Sequence, residues 1–265
     1  MAVRLDGARV LLTGATGGVG QAIARRLSRE GAQLVLTSRR SDALRALADE
    51  LGGQAIVVDL ARRDEVERLL AGAGEIDVLV ANAALPGSGR LVTLERDHVD
   101  RALEVNLRAP IALAHGLLPS MLQRGKGHLV FIGSLSGKAP NGGASIYSAT
   151  KFGVRGFALA LRAELAPAGI GVSLVAPGFV SDAGMFADTT ISLPRGLTTR
   201  TSGQVADAVV RAIAQNRGEI NVAALTMRVG ADLANLAPGL AERAGRVIGA
   251  DRLALQFEER QADKR

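Results

Sequence analysis

Thr13-Gly14-Ala15-Thr16-Gly17-Gly18-Val19-Gly20 closes a short apolar run, Ala8 to Leu12, and leads straight into a segment with Ile23 and Leu27 at helical spacing. A strand, a glycine-rich turn and a helix follow one another without a break. Glycines let the chain turn sharply and bring backbone N–H groups close to a phosphate. The helix N-terminus adds further donors and the positive end of a dipole. The spacing differs from the G-x-G-x-x-G of ordinary dinucleotide turns. Its place after the first strand is what makes a nucleotide phosphate the expected ligand.

Outward from this turn the same alternation repeats. Runs suited to strands (Gln33 to Thr37, Ala55 to Val58, Asp77 to Ala81, Gly127 to Ile132, Gly171 to Ala176 and Glu219 to Ala223) are separated by longer segments with helical periodicity. Leu44/Leu47/Leu51 and Val99/Leu103/Leu107 are examples, and Ser41 is placed to cap the helix that carries the first of these. Thr201-x-x-Gln204 reads as a capping box opening a helix that runs to about Asn216. Apolar runs with little alternation suit strands buried on both faces. The expected fold is α/β: a doubly wound parallel sheet in three layers.

Composition narrows the chemistry. The 265 residues carry no cysteine, so disulfides, thiol nucleophiles and Cys-bound metal are excluded. His98, His115 and His128 are widely spaced, and we expect surface positions and no metal. A net charge of +6 is spread along the chain among acids, with few aromatics for base stacking, so no nucleic acid is expected. The first residues lack a basic-then-apolar leader and no run is long enough to cross a bilayer, which makes a cytoplasmic protein the expectation.

Two further stretches carry chemistry. The second strand ends in Ser38-Arg39-Arg40 with no acid. In dinucleotide folds an acid here bonds the adenosine ribose, whereas an arginine accommodates a 2′-phosphate. That favours NADP(H), with NAD(H) possible. Tyr147-x-x-x-Lys151 places a phenol and an ammonium on one helical face, and a cation beside a phenol favours its ionised form. Such a tyrosine can exchange a proton with an alkoxide or alcohol. Tyr147 is the only tyrosine in the chain, and Lys151 is one of four lysines.

Taken in order, these motifs resemble the short-chain dehydrogenase/reductase family, classical branch, over roughly residues 5–225. Thr13-Gly14-x-x-x-Gly18-x-Gly20 is similar to its cofactor turn, Asp59-Leu60 to its adenine position, and Asn82-Ala83-Ala84 to its Asn-Ala-Gly. Asn106, Ser134, Tyr147, Lys151 and Pro177-Gly178 follow in sequence. The resemblance implies a Rossmann-like domain over 1–225, with 226–265 a C-terminal helical extension packed on it. It implies a cofactor held by Gly14, Thr16, Gly18, Val19, Gly20, Ser38, Arg39, Asp59, Leu60, Asn82, Ala83, Tyr147, Lys151, Pro177, Gly178 and Val180. Tyr147 would be the general acid/base and Lys151 would lower its pKa. Ser134 would donate to the substrate oxygen, with Ser136, Ser145 and Ser148 as rivals, and Asn106 would hold a water linking Lys151 to solvent. The family commonly has a threonine where this chain has Asp182, beside Ser181.

The implied activity is NADP(H)-dependent interconversion of a carbonyl and an alcohol on a hydrophobic small molecule, by a homodimer or homotetramer. A redox sensor without turnover, and an epimerase or dehydratase using bound cofactor, are the alternatives. Residues 179–200, with Met185, Phe186, Ile191, Leu193, Arg195 and Arg200, read as a lid. Gly137 to Ile146, with Lys138 and Asn141, reads as another wall of the pocket. Leu233, Leu236, Leu240, Ala244, Val247 and Ile248 suggest two amphipathic helices interrupted by Pro238-Gly239. They are expected to pack on the body or on a partner copy, with covering the substrate mouth the second expectation and membrane contact the least.

Overall fold

Seven strands form one parallel sheet: β1 (Arg9–Thr13), β2 (Gln33–Ser38), β3 (Gln54–Val57), β4 (Val78–Ala81), β5 (His128–Ile132), β6 (Gly171–Pro177) and β7 (Glu219–Val222). Their order across the sheet is β3-β2-β1-β4-β5-β6-β7. The computed structural model describes residues 3–140, 142–187, 198–237 and 239. The helices are α1 (Gly18–Arg29), α2 (Ser41–Leu51), α3 (Arg63–Gly72), α4 (Arg96–Leu103), α5 (Ala109–Arg124), α6 (Ser145–Leu165), the single turn α7 (Gly184–Ala187), α8 (Ser202–Ala214) and α9 (Leu225–Leu236).

The pleat sends alternate strand residues into two cores. Val10, Leu12, Leu34, Leu36, Val78, Val80, Val130 and Ile132 meet α1, α2 and α8 on one face. Leu11, Val35, Leu79, Ala81, Leu129, Phe131, Val172 and Leu174 meet α3, α5 and α6 on the other. Burial on both faces explains why the strands read as continuous apolar runs. The order reverses between β1 and β4, and their carboxyl ends open a crevice there, the place where α/β sheets of this type bind ligands.

Several expectations need correction. Val99/Leu103/Leu107 is not the buried stripe: Leu103 is exposed, and Ala102, Val105 and Ala109 face the core instead. A π turn over Glu104–Arg108 inserts one residue between α4 and α5 and shifts the phase of the apolar face. Ser41 does not cap α2; it is the first helical residue, and its hydroxyl donates to Asp42. His128 is not a surface residue but fully buried between β5 and β6, with Nε2 2.8 Å from Ser173 Oγ.

The capping box forms as read, with Thr201 accepting from Gln204 N at 3.2 Å and Gln204 accepting from Thr201 N at 3.0 Å. The helix after β7 starts at Leu225, well before the stripe read in the sequence. It buries Ala231 and Ala234 while Leu225, Val229, Leu233 and Leu236 face outward. Leu240, Ala244, Val247 and Ile248 lie outside the described residues. Among the described residues no helix is long and apolar enough to cross a membrane.

Candidate active site

The glycine-rich turn leaves β1 and enters α1 without a side-chain cap on the helix. Gly20 has no alternative: a Cβ there would sit 2.1 Å from Gly14 O, so the first turn of α1 lies directly on the turn that precedes it. Asn82 closes the turn from the β4 side, its amide donating to Thr13 O at 3.0 Å and Gly14 O at 3.2 Å. The backbone N–H groups of Asn82 and Ala83 both donate to Thr13 Oγ1 at 3.0 Å. Ala183 packs over Gly18, where an added Cβ would meet it at 2.5 Å, so the chain after β6 reaches across the turn near Val19.

Thr16 and Ser38 join their hydroxyls at 2.5 Å across the β1 and β2 ends. Arg40 turns back onto Thr16, bonding its carbonyl and hydroxyl. Arg39 behaves differently. It is exposed, and among the described residues it has neither a hydrogen bond nor an ion pair. At the end of β3, Asp59 pairs with Arg101 at 2.6 Å and accepts from Ala61 N at 3.1 Å. Burial raises its pKa, but Arg101 and the Ala61 bond outweigh that and hold the carboxyl below its ordinary range. Leu60 beside it is buried. An uncapped α1 N-terminus beside an exposed arginine beyond β2 fits the phosphates of a dinucleotide.

On the other side of the crevice, Ser134 follows β5 and caps a single 3₁₀ turn, Leu135–Gly137, accepting from Ser136 N at 3.1 Å. Its hydroxyl acts on Tyr147, in the first turn of α6, in the sense that lowers the phenol's pKa. Lys151, one turn on, is buried, with Nζ donating to Ile132 O at 2.9 Å and lying 5.6 Å from the Tyr147 ring centre. Burial pushes the Tyr147 phenol up to about 12, against the Ser134 hydroxyl, which lowers it. Burial also brings the Lys151 ammonium down to about 8. The expected lowering of Tyr147 is therefore absent: desolvation of the phenol dominates, although the residue as a whole is only half-buried. Of the rival serines, Ser148 is buried without a partner, Ser145 is exposed at the start of α6, and Ser136 gives its N–H to Ser134.

Asn106 lies in the π turn and spends its amide on Leu85, accepting from its N–H at 2.7 Å and donating to its carbonyl at 2.9 Å. Its side chain fixes the chain after β4 and makes no direct bond to Lys151. Pro177 ends β6, Gly178 N donates to Val222 O at 3.0 Å, and Val180 bridges to Arg200. Asp182 accepts from Ser202 N at 2.8 Å and Ser202 Oγ at 3.0 Å. Its carboxylate anchors the start of α8. Arg200 approaches Ala223 O. Ile191, Leu193, Arg195, Asn141 and the side chains of Met185 and Phe186 lie outside the described residues.

Two residues were missed, Arg101 and Gly87, and Lys138 was given the wrong role. Arg101 comes to Asp59 from α4, with no local sequence signal. Gly87, after Pro86, lets the chain pass against Tyr147, where a Cβ would meet its N at 2.9 Å. Lys138 is not a pocket wall but a buried cation facing Glu219 and Asp232.

The short chain dehydrogenase family model matches residues 8–192. The chain belongs to the short-chain dehydrogenase/reductase family, of the classical branch. It is 38% identical over 227 residues to ketoacyl reductase HetN from a Nostoc species, covering 82% of this chain and 79% of that one. Among solved structures, a short-chain dehydrogenase from Sphingobium yanoikuyae in complex with NADPH matches with a TM-score of 0.76 and 30% identity, over 89% of this chain and 95% of that one. A variant of the actinorhodin polyketide ketoreductase with NADPH matches with a TM-score of 0.75 and 32% identity, over 84% and 98%. The protein is thus an NAD(P)-dependent oxidoreductase acting on CH–OH groups.

Proposed function

We propose that this enzyme reduces a ketone carried on an apolar chain, with NADPH preferred over NADH. The observation that carries the reading is the Tyr147 phenol between the Ser134 hydroxyl, which acts to lower its pKa, and the buried Lys151, 5.6 Å from its ring centre, across the crevice from an exposed Arg39 with no hydrogen bond among the described residues. The names of two relatives, a ketoacyl reductase and a polyketide ketoreductase, support the substrate class.

The cofactor would be held by the Gly14–Gly20 turn, Ser38, Arg39, Asp59, Asn82 and the Pro177–Val180 segment, with Lys151 toward its nicotinamide ribose. When bound, it supplies the hydride. Ser134 accepts from Ser136 N, and its single proton, which acts on Tyr147 in this structure, would turn to a substrate carbonyl oxygen and stabilise charge developing there. Tyr147 then delivers a proton to that oxygen. With its pKa high, the phenol is fully protonated at neutral pH, the form that reduction needs. Lys151 has one protein acceptor, Ile132 O, which leaves two N–H bonds for the ribose and for the phenolate left by proton transfer.

The test is NADPH oxidation against a carbonyl panel that includes 3-keto thioesters, with NADH and Tyr147→Phe run in parallel. We expect turnover with NADPH, less with NADH, and a loss of about 10²–10⁴-fold in the variant with NADPH affinity kept. NADPH binding without turnover of any panel member would favour the sensor. A preference for NADH would remove the role given to Arg39.

A further inference from the structure

The turn that carries Ser134 is gripped at both ends, and only one grip belongs to the reacting pair. On the α6 side Gly137 lies against the Lys151 carbonyl, with a Cβ placed 2.7 Å from that oxygen, so any displacement of the turn is felt at the catalytic helix. Ser134 O accepts from Gly137 N and Leu135 O from Lys138 N, both at 2.9 Å, which makes Ser134 to Lys138 one hydrogen-bonded unit. On the far side Lys138 Nζ reaches Glu219 Oε1 on β7 at 2.7 Å and Asp232 Oδ1 on α9 at 3.0 Å. With its amide turned so that both ends are satisfied, Asn221 offers its oxygen to the same Nζ at 3.1 Å and its nitrogen to Glu219 at 3.3 Å. Arg155 of α6 also reaches Glu219, at 3.3 Å. An apolar cluster of Leu135, Ala223 and Ala231, joined by Ala139 and Met227, seals this contact.

A lysine that is 6% exposed and meets three acceptors has a fully saturated ammonium. It has no capacity left for substrate or cofactor. What it does is tie the Ser134 turn to β7 and α9. We propose that Lys138 is a positioning residue, which fixes Ser134 Oγ against Tyr147 by anchoring the far end of the 3₁₀ turn to Glu219, Asn221 and Asp232. This rests on the reading of Ser134 and Tyr147 as the reacting pair. The helix after β7 thereby becomes part of the active-site frame rather than an appendage.

The chain has one tyrosine and no tryptophan, so tyrosine emission, and the near-ultraviolet spectrum at wavelengths beyond the phenylalanine bands, report Tyr147 alone, with no substrate needed. Ser134→Ala defines the spectral signature of a lost Ser134–Tyr147 interaction. Lys138→Met should move the spectrum in the same direction, and Asp232→Ala, at an exposed position that folding tolerates, should move it less. With any ketone the parent turns over, kcat should fall about tenfold in Lys138→Met with the KM for NADPH unchanged, since small misplacement of a reacting group is felt in the chemical step. A Ser134→Ala shift that neither Lys138→Met nor Asp232→Ala reproduces overturns the proposal. If Lys138→Met does not fold, Asp232→Ala alone decides. Should Ser134→Ala leave the spectrum unchanged, the reacting pair itself fails, and the function reading falls with it.

Discussion

Two buried lysines flank the same short turn, and they are built in opposite ways. Lys138 is surrounded by Glu219, Asp232 and the Asn221 amide. Lys151, just as buried, has one neutral carbonyl, Ile132 O. Both pay desolvation, but only Lys138 is compensated by charge. The uncompensated lysine is the one beside Tyr147. Partners exhausted inside the protein mark a structural group, and partners left wanting mark a group kept for something that is not protein.

The same substitution at both sites sharpens this contrast. Lys151→Met should lower turnover by about 10²–10⁴-fold, because the phenolate left by proton transfer loses its cation. It should also stabilise the fold at pH 7. The Lys151 pKa falls from 10.5 to about 8, so the folded state holds the proton less tightly than the unfolded chain. The cost is fully present below pH 8, shrinks as pH rises from 8 to 10.5, and is gone above. At 1.36 kcal/mol per pKa unit it amounts to about 3 kcal/mol. Denaturant unfolding of parent and variant at pH 7 and near 10.5 checks both parts. A variant less stable than the parent at pH 7 would break the comparison.

His128 extends the argument to a group with no catalytic neighbour. Its Nδ1 has no partner, and burial, helped by the Arg162 cation, lowers its pKa to about 4. The unfolded chain therefore takes up a proton first as pH falls. Stability present above pH 6.5 is lost between 6.5 and 4, by up to about 3 kcal/mol. An acid titration of stability should show this slope, and His128→Asn should flatten it. Lys138→Met should do the reverse of Lys151→Met, costing about 2 kcal/mol at pH 7. That is less than the 3–5 kcal/mol of a wholly buried pair, since Asp232 is open to water and Glu219 keeps Arg155. Comparing the midpoints of the two Met variants under one condition reads the sign directly.

What the sequence revealed follows the same division. The Thr13–Gly20 turn, the strand runs and Tyr147-x-x-x-Lys151 depend on neighbours within a few residues, and they are legible for that reason. Lys138 looked like a pocket wall because its acceptors are 81 and 94 residues away, on β7 and α9. Arg101 finds Asp59 across 42 residues, and nothing near either announces it. The stripe Val99/Leu103/Leu107 failed for a local reason of another kind: the inserted residue of the π turn breaks the 3.6 period that the reading assumes. Tyr147 failed energetically, since pairing with a lysine was visible in the sequence and the depth of burial was not.

The smallest effect tests the rule on neutral hydroxyls. Thr201 and Ser41 both stand where a helix starts, and both were read as caps. Thr201 accepts from Gln204 N and is answered by the Gln204 side chain, so two backbone donors are satisfied. Ser41 is already inside α2, with Arg40 at the cap position in extended backbone, and its hydroxyl turns to the exposed Asp42. Thr201→Ala should cost about 1 kcal/mol and Ser41→Ala a few tenths at most. The Thr201 loss should also loosen the start of α8, where Asp182 holds Ser202, so Asp182→Ala should add less to Thr201→Ala than it costs alone. A double-mutant cycle on Tm measures that coupling. Equal losses for Thr201→Ala and Ser41→Ala would mean that partner satisfaction does not set the value of a polar group in this fold.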